Sequence, residues 1–186
     1  MSRWALITGA SGGIGQATAK KLAQEGCHLM LHYHQNEEAA SRLSADLKET
    51  YQVETCVVQA DLAKTGGAAE LVSRLPLDPD ILVLNSGKSH VGLVTDTEKE
   101  VLASMVHLHV TSPYELTQSI LPAMIQKKSG HIIAVSSIWG KRVPRVKYCT
   151  VWSRVLKMPS LRGLPKSLPQ VELEQMQSHQ VRFRLI

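Results

Sequence analysis

Trp4-Ala5-Leu6-Ile7-Thr8-Gly9-Ala10-Ser11-Gly12-Gly13-Ile14-Gly15 is the stretch that decides the fold. Trp4 to Ile7 reads as a short buried strand that runs straight into a glycine-rich turn. The turn opens a helix predicted to carry Ile14, Ala17, Leu22 and Ala23 on one face. Gly9 lets the chain turn sharply, Gly13 lets backbone approach a ligand, and Gly15 lets helix and strand pack closely. The helix N-terminus then offers unpaired N–H groups to a pyrophosphate. A ligand-free turn leaves three closely spaced glycines at the first strand–helix junction without a purpose.

Downstream, strand and helix signals alternate. Strands are predicted at 27–32, 53–59, 81–84 and 131–136, and helices at 37–50, 68–74 and 98–126. Such alternation with short loops predicts an α/β, doubly wound parallel sheet of the Rossmann type, in the order 3-2-1-4-5. Right-handed connections then place nucleotide and substrate at the carboxyl ends of the strands.

The formal net charge of +5 conceals a break at Gly140. Residues 1–140 hold 11 Lys and Arg against 14 Asp and Glu, a balance of −3. Residues 141–186 hold 10 against 2, a balance of +8, and include Pro144, Pro159, Pro165 and Pro169. The expected organisation is a dinucleotide-binding domain over 1–140, truncated after strand five. An irregular or disordered basic tail over 141–186 would add no well-packed strand beside strand five. Cys27, Cys56 and Cys149 have no metal-ligand spacing, so no metal is expected and a reducing cytoplasm fits. No apolar run reaches membrane-spanning length and no charged-then-apolar leader begins the chain, so no membrane association is expected.

The spacing Thr8-Gly9-x-x-x-Gly13-x-Gly15 resembles the short-chain dehydrogenase/reductase family, and further landmarks follow in order. Asp61-Leu62 matches the end of the third strand, where the family holds the adenine amine. Leu84-Asn85-Ser86-Gly87 stands where the family usually has Asn-Asn-Ala-Gly. Ser136-Ser137-Ile138-Trp139-Gly140 ends the fifth strand, and Ser137 matches the catalytic serine. Through residue 140 several features look like the 3-oxoacyl-carrier-protein reductase branch; beyond Gly140 the motif likeness stops. The resemblance implies cofactor contacts from Gly9, Ala10, Ser11, Gly12, Gly13, Ile14, Gly15, Asp61, Leu62, Asn85, Ser86 and Gly87. His32-Tyr33-His34-Gln35-Asn36 ends strand two without an acid to hold a ribose 2′-hydroxyl, which leans toward NADP, with NAD possible. His34 is the candidate phosphate contact, against the alternative of a solvated histidine. Gly12, where NADP-using relatives often have Arg, weakens that lean.

His109 takes the place of an Asn whose backbone carbonyl serves the family's catalytic lysine through a water. Pro113, four residues on, has no N–H to give that carbonyl, so the backbone role survives the change of side chain. A helix kink is the competing explanation.

Family members also need a Tyr and a Lys four residues later, about a dozen residues past the serine. Here Tyr148 is followed at that spacing by Trp152, so the pair is missing. Joining the third base of each codon to the first two of the next changes the picture. Cys149/Thr150 then allows Tyr or His, and a Lys straddles Ser153/Arg154, which gives Tyr-x-x-x-Lys thirteen codons after Ser137. Alanines straddling Met158/Pro159 and Met176/Gln177 are forced by the code. The stretch 169–183 permits a strand followed by the family's Pro-Gly turn.

The expected function is an NAD(P)-dependent oxidoreductase that reduces a small-molecule carbonyl, such as a 3-oxoacyl thioester, by hydride transfer. It would be inactive as written and homo-oligomeric once repaired. One rival is a non-catalytic dinucleotide-binding module. A second, a nucleic-acid binder working through the basic tail, is disfavoured because the tail lacks aromatic interleaving and its body is acidic.

Overall fold

Five parallel strands, β1 (Trp4–Ile7), β2 (His28–Tyr33), β3 (Thr55–Gln59), β4 (Ile81–Leu84) and β5 (His131–Ala134), lie in the order β3-β2-β1-β4-β5. The structure is a computed structural model that describes residues 3–91 and 93–137 and two short strands at 171–172 and 175–176. Between the main strands run α1 (Gly13–Gln24), α2 (Glu37–Tyr51) and α3 (Gly67–Ser73). The strand order matches the one the β/α alternation predicts, with ends displaced by one or two residues.

Side chains that alternate along each strand feed two cores. Ala5, Ile7, Leu29, Leu31 and Val83 pack on one face against Leu22 of α1 and Leu43 and Leu47 of α2. Leu6, Met30, Leu82, Leu84 and Ile132 pack on the other against Leu71 of α3 and against Leu116 and Met124. Strands β1 and β4 are therefore apolar throughout, as a sheet covered on both faces requires.

Two expectations are corrected. The buried face of α1 is Gly15, Thr18, Ala19, Leu22 and Ala23, while Ile14 is 41% exposed and Ala17 is also exposed. The 98–126 helix is not one regular cylinder: α4 (Lys99–Val106) and α5 (Ser112–Lys127) are joined by a π turn, His107–Thr111. Pro113 has no N–H for the carbonyl four residues back, and its ring would crowd that carbonyl. Widening the helix by one residue relieves the conflict, and the Ser112 amide reaches the His107 carbonyl instead.

Beyond β5 lie three two-residue strands: β6 (Ser136–Ser137), β7 (Val171–Glu172) and β8 (Gln175–Met176). β7 pairs in parallel with β5, and β8 with β6. The β/α alternation does not predict these pairings. They occupy an edge that would otherwise present unpaired N–H and C=O groups. The packing of their side chains, and the expected tail as a whole, lie outside the described residues.

The carboxyl edge of the sheet is tied crosswise. Thr8 Oγ1 donates to the Val83 carbonyl (3.1 Å) and accepts from the amides of Asn85 (2.9 Å) and Ser86 (3.0 Å). His32 is 2% exposed; its Nδ1 accepts from the Gly9 amide (3.0 Å) and its Nε2 donates to the Ala60 carbonyl (3.1 Å). Burial pushes this imidazole down to about 4 from its ordinary 6.5, and the Ala60 hydrogen bond only partly offsets it. Above pH 6.5 the ring is neutral in folded and unfolded chains alike, so the tie is fully present. Between about 6.5 and 4 the unfolded chain takes up a proton that the folded chain refuses, and stability falls as pH falls. Urea unfolding at pH 7.5 and pH 5 should show native protein losing about 2 kcal/mol more than His32→Leu across that interval. Equal losses would mean that His32 is not buried and neutral.

Candidate functional site

Gly9, the residue after the β1 tie, has φ +67°, a left-handed conformation that glycine takes without strain. It reverses the chain into α1. At Gly15 a Cβ would lie 2.3 Å from the Gly9 carbonyl oxygen, so the helix can rest on the turn only without a side chain. At Gly13 a Cβ would meet nothing within 4 Å. That open side faces a cleft of about 810 Å³ along the carboxyl ends of β1, β2 and β4 and the segment following β3.

The cleft gathers the expected residues from separate parts of the chain. Gly9, Ser11, Gly12, Gly13, Ile14 and Gly15 form one wall, and exposed Ile14 contributes its side chain there instead of to the core. His34, Asp61 and Leu62 line the end beside β2 and the segment following β3. Asn85, Ser86, Gly87 and His109 line the other end. Ala10 is fully buried behind the turn, where its amide donates to the His32 carbonyl (2.8 Å). Ser137 stands in β6, paired in register with Met176; its side chain lies outside the described residues.

At the end beside β2, Asp61 Oδ1 accepts from the Ala63 amide (3.0 Å), while Oδ2 lies 3.4 Å from His34 Nε2 and 3.5 Å from Lys64 Nζ. Ser112 Oγ, fully buried at the start of α5, donates to the Leu62 carbonyl (2.7 Å) and fixes this edge. At the β4 end, Asn85 Nδ2 donates to the carbonyls of Thr8 (3.0 Å) and Gly9 (3.1 Å). The side chain thereby clamps the turn.

His109, 1% exposed in the π turn, points its ring at the loop after β4. Its Nε2 lies 3.0 Å from the Lys88 carbonyl and 3.4 Å from the Lys88 amide, and a Cβ on Gly87 would stand 2.8 Å from its Cε1. The ring as well as the backbone thus has a position in the site, which the carbonyl argument alone does not anticipate. Lys88 is a further wall residue without a sequence signal of its own, and the tying roles of Thr8, the first residue of the glycine motif, and of His32 are not legible locally, because the partners lie 21 to 78 residues away.

The residues present fit an ADP-containing cofactor. The cleft pairs an open glycine edge at a helix N-terminus with an acid at the far side. Ser86 lines it too, and its hydroxyl oxygen is buried behind that wall without a hydrogen-bond partner among the described residues.

Comparisons with known proteins agree. A profile of the short chain dehydrogenases matches residues 3–150, which corrects the expectation that the resemblance stops abruptly after Gly140. An uncharacterized oxidoreductase of Bacillus subtilis, YmfI, is 44% identical over 168 residues, 90% of this chain and 69% of its own. A very-long-chain 3-oxoacyl-CoA reductase of Laccaria bicolor is 35% identical over 74% of this chain but only 42% of its own length. Among solved structures, a short-chain dehydrogenase of Sphingobium yanoikuyae in complex with NADPH superposes with TM-score 0.83 at 25% identity. It covers 93% of this chain and 70% of that one. Among the described residues no helix is long and apolar enough to cross a membrane. A glycine turn, an acid after β3 and a β4-end asparagine converging on one cleft, together with these matches, place the chain in the short-chain dehydrogenase/reductase family.

Proposed function

We propose that this protein is built on an NADP(H)-dependent carbonyl reductase of the cytoplasm, and that its substrate is a 3-oxoacyl thioester. The observation that carries the reading is the single cleft shared by Gly9–Gly15, His34, Asp61, Asn85 and Gly87. The Sphingobium relative's NADPH and the absence of an acid between His32 and Asn36 support NADP over NAD, with NAD possible. The Laccaria relative's name supports the substrate class.

In this reading the amides of Gly13, Ile14 and Gly15 bind the pyrophosphate, the Gly12 amide closes the turn on the Gly9 carbonyl, and Asp61 with Leu62 seats the adenine. His34 faces the 2′-phosphate, and Asn85, Ser86 and Gly87 support the nicotinamide ribose. When bound, the reduced nicotinamide supplies a hydride to the carbonyl carbon. Ser137 holds the carbonyl oxygen as charge develops on it. The His109 carbonyl anchors the water that serves the proton donor's lysine. The donor pair itself is absent from 141–186 as written, and the shifted frame restores it as Tyr-x-x-x-Lys. The break in charge at Gly140 and the code-forced alanines support a single base lost near that codon. The shifted-frame strand also falls across 169–183, the part of the chain that holds β7 and β8. As written, the chain is a dinucleotide-binding module. With the frame restored, it is a homo-oligomeric reductase.

NADPH oxidation on a 3-oxoacyl thioester should be undetectable for the 186-residue chain. It should appear when one base is inserted near the Gly140 codon, a gain of at least about 10² to 10⁴. Equal activity in both proteins would refute the frame shift. Turnover of other ketones alone would refute only the thioester.

Calorimetry should show NADPH binding no weaker than NADH, and His34→Ala should weaken NADPH by roughly three- to tenfold while sparing NADH. Tenfold tighter NADH binding would reverse the cofactor assignment.

A further inference from the structure

The ring of His32 is the only side chain among the described residues with hydrogen bonds to both the glycine-rich turn and the segment that leads into Asp61. Two peptide groups that must face one cofactor, Gly9 beside the pyrophosphate wall and Ala60 beside the adenine acid, meet through five ring atoms. The backbone of the same strand end repeats the link: the Ala10 amide donates to the His32 carbonyl (2.8 Å) and the Ala60 amide to the Tyr33 carbonyl (3.1 Å). Because the Gly9 N–H points at Nδ1, that nitrogen must be the acceptor. The ring proton therefore sits on Nε2, directed at Ala60.

We propose that His32 is a positioning residue for the dinucleotide. As the neutral Nε2–H tautomer it sets the separation between the pyrophosphate turn and the adenine-side edge, so that one ADP moiety reaches both. The inference rests on the cofactor reading above and adds a residue to it. Burial obliges both ring nitrogens to find partners, so the informative point is which partners they find. Here both are satisfied, by two different walls of one cleft, on a side chain that is 2% exposed yet borders that cleft. The charged neighbours are His34 on the same strand end and Asp61 beyond β3; β1 and the glycine turn contribute no titratable group.

The test compares His32→Asn with His32→Leu in the full chain, reading NADPH affinity by calorimetry and stability by thermal melting. Asn keeps a carboxamide oxygen near the Nδ1 position, where it can accept from Gly9, and loses the Ala60 bond. Leu, of similar bulk, loses both. Because both variants break the link to Ala60, affinity should fall about tenfold or more in each when measured well below either melting transition, with His32→Asn the more stable of the two because it keeps the Gly9 bond. An affinity unchanged in both variants, or reduced only as melting is approached, would overturn the proposal. If the native chain fails to bind NADPH, the cofactor reading and this inference fall together, whereas native binding with an unaffected His32→Leu refutes this inference alone. Where either variant does not fold, imidazole ¹⁵N spectra of the native chain at neutral pH decide. An Nε2–H tautomer whose Nδ1 resonance responds to NADPH supports the assignment; an Nδ1–H tautomer, or one indifferent to NADPH, contradicts it.

Discussion

A threonine hydroxyl holds the functional edge of this protein together. Thr8 stands at the end of the central strand, and its Oγ1 bonds at once to the Val83 carbonyl and to the amides of Asn85 and Ser86. Three bonds to one buried oxygen fix where β1 and β4 end relative to each other. The glycine turn that follows and the Asn85–Gly87 segment opposite inherit that placement. Three neutral hydrogen bonds of about 1 kcal/mol each are a large share of a typical domain's net stability, so the edge is rigid where the ligand must dock.

The same logic extends along the edge. Asn85 returns its amide to the carbonyls of Thr8 and Gly9, His32 carries the turn across to Ala60, and Ser112 secures Leu62 from the opposite layer. His109 then holds the loop after β4 from a π turn that Pro113 helps to create. Each of these polar side chains is at least partly buried, and each spends its hydrogen bonds on backbone that shapes the cleft. The apolar cores set the sheet, and this polar layer aims it.

Much of the fold was legible because it rests on local pattern. Apolar runs of four residues, glycines at a strand–helix junction and regular alternation are readable in a window of a dozen residues, and strand order follows from handedness. Gly9, Gly15 and Gly87 carry a signal because a side chain does not suit them: Gly9 takes a left-handed turn, Gly15 rests on the Gly9 carbonyl and Gly87 lies against the His109 ring. The tying roles of Thr8 and His32 carried none: Thr8 shows in sequence only as the head of the glycine motif, His32 reads as an exception inside an apolar strand, and the partners of both lie across the sheet. Ile14 misled for a related reason, since an apolar residue that walls a cleft looks, in sequence, like one that fills a core. The π turn was foreshadowed only by Pro113. Helical periodicity over 98–126 does not reveal an extra residue inserted in one turn.

Amide resonances of the ¹⁵N-labelled chain, followed during titration with NADPH, test the central claim most directly. The account predicts saturable shifts concentrated at Ser11 to Ile14, at Asp61 and at Asn85 to Gly87, with the outer faces of α2 and α5 silent. A well-dispersed, folded spectrum that NADPH leaves unchanged, or shifts confined to residues away from that edge, would contradict it.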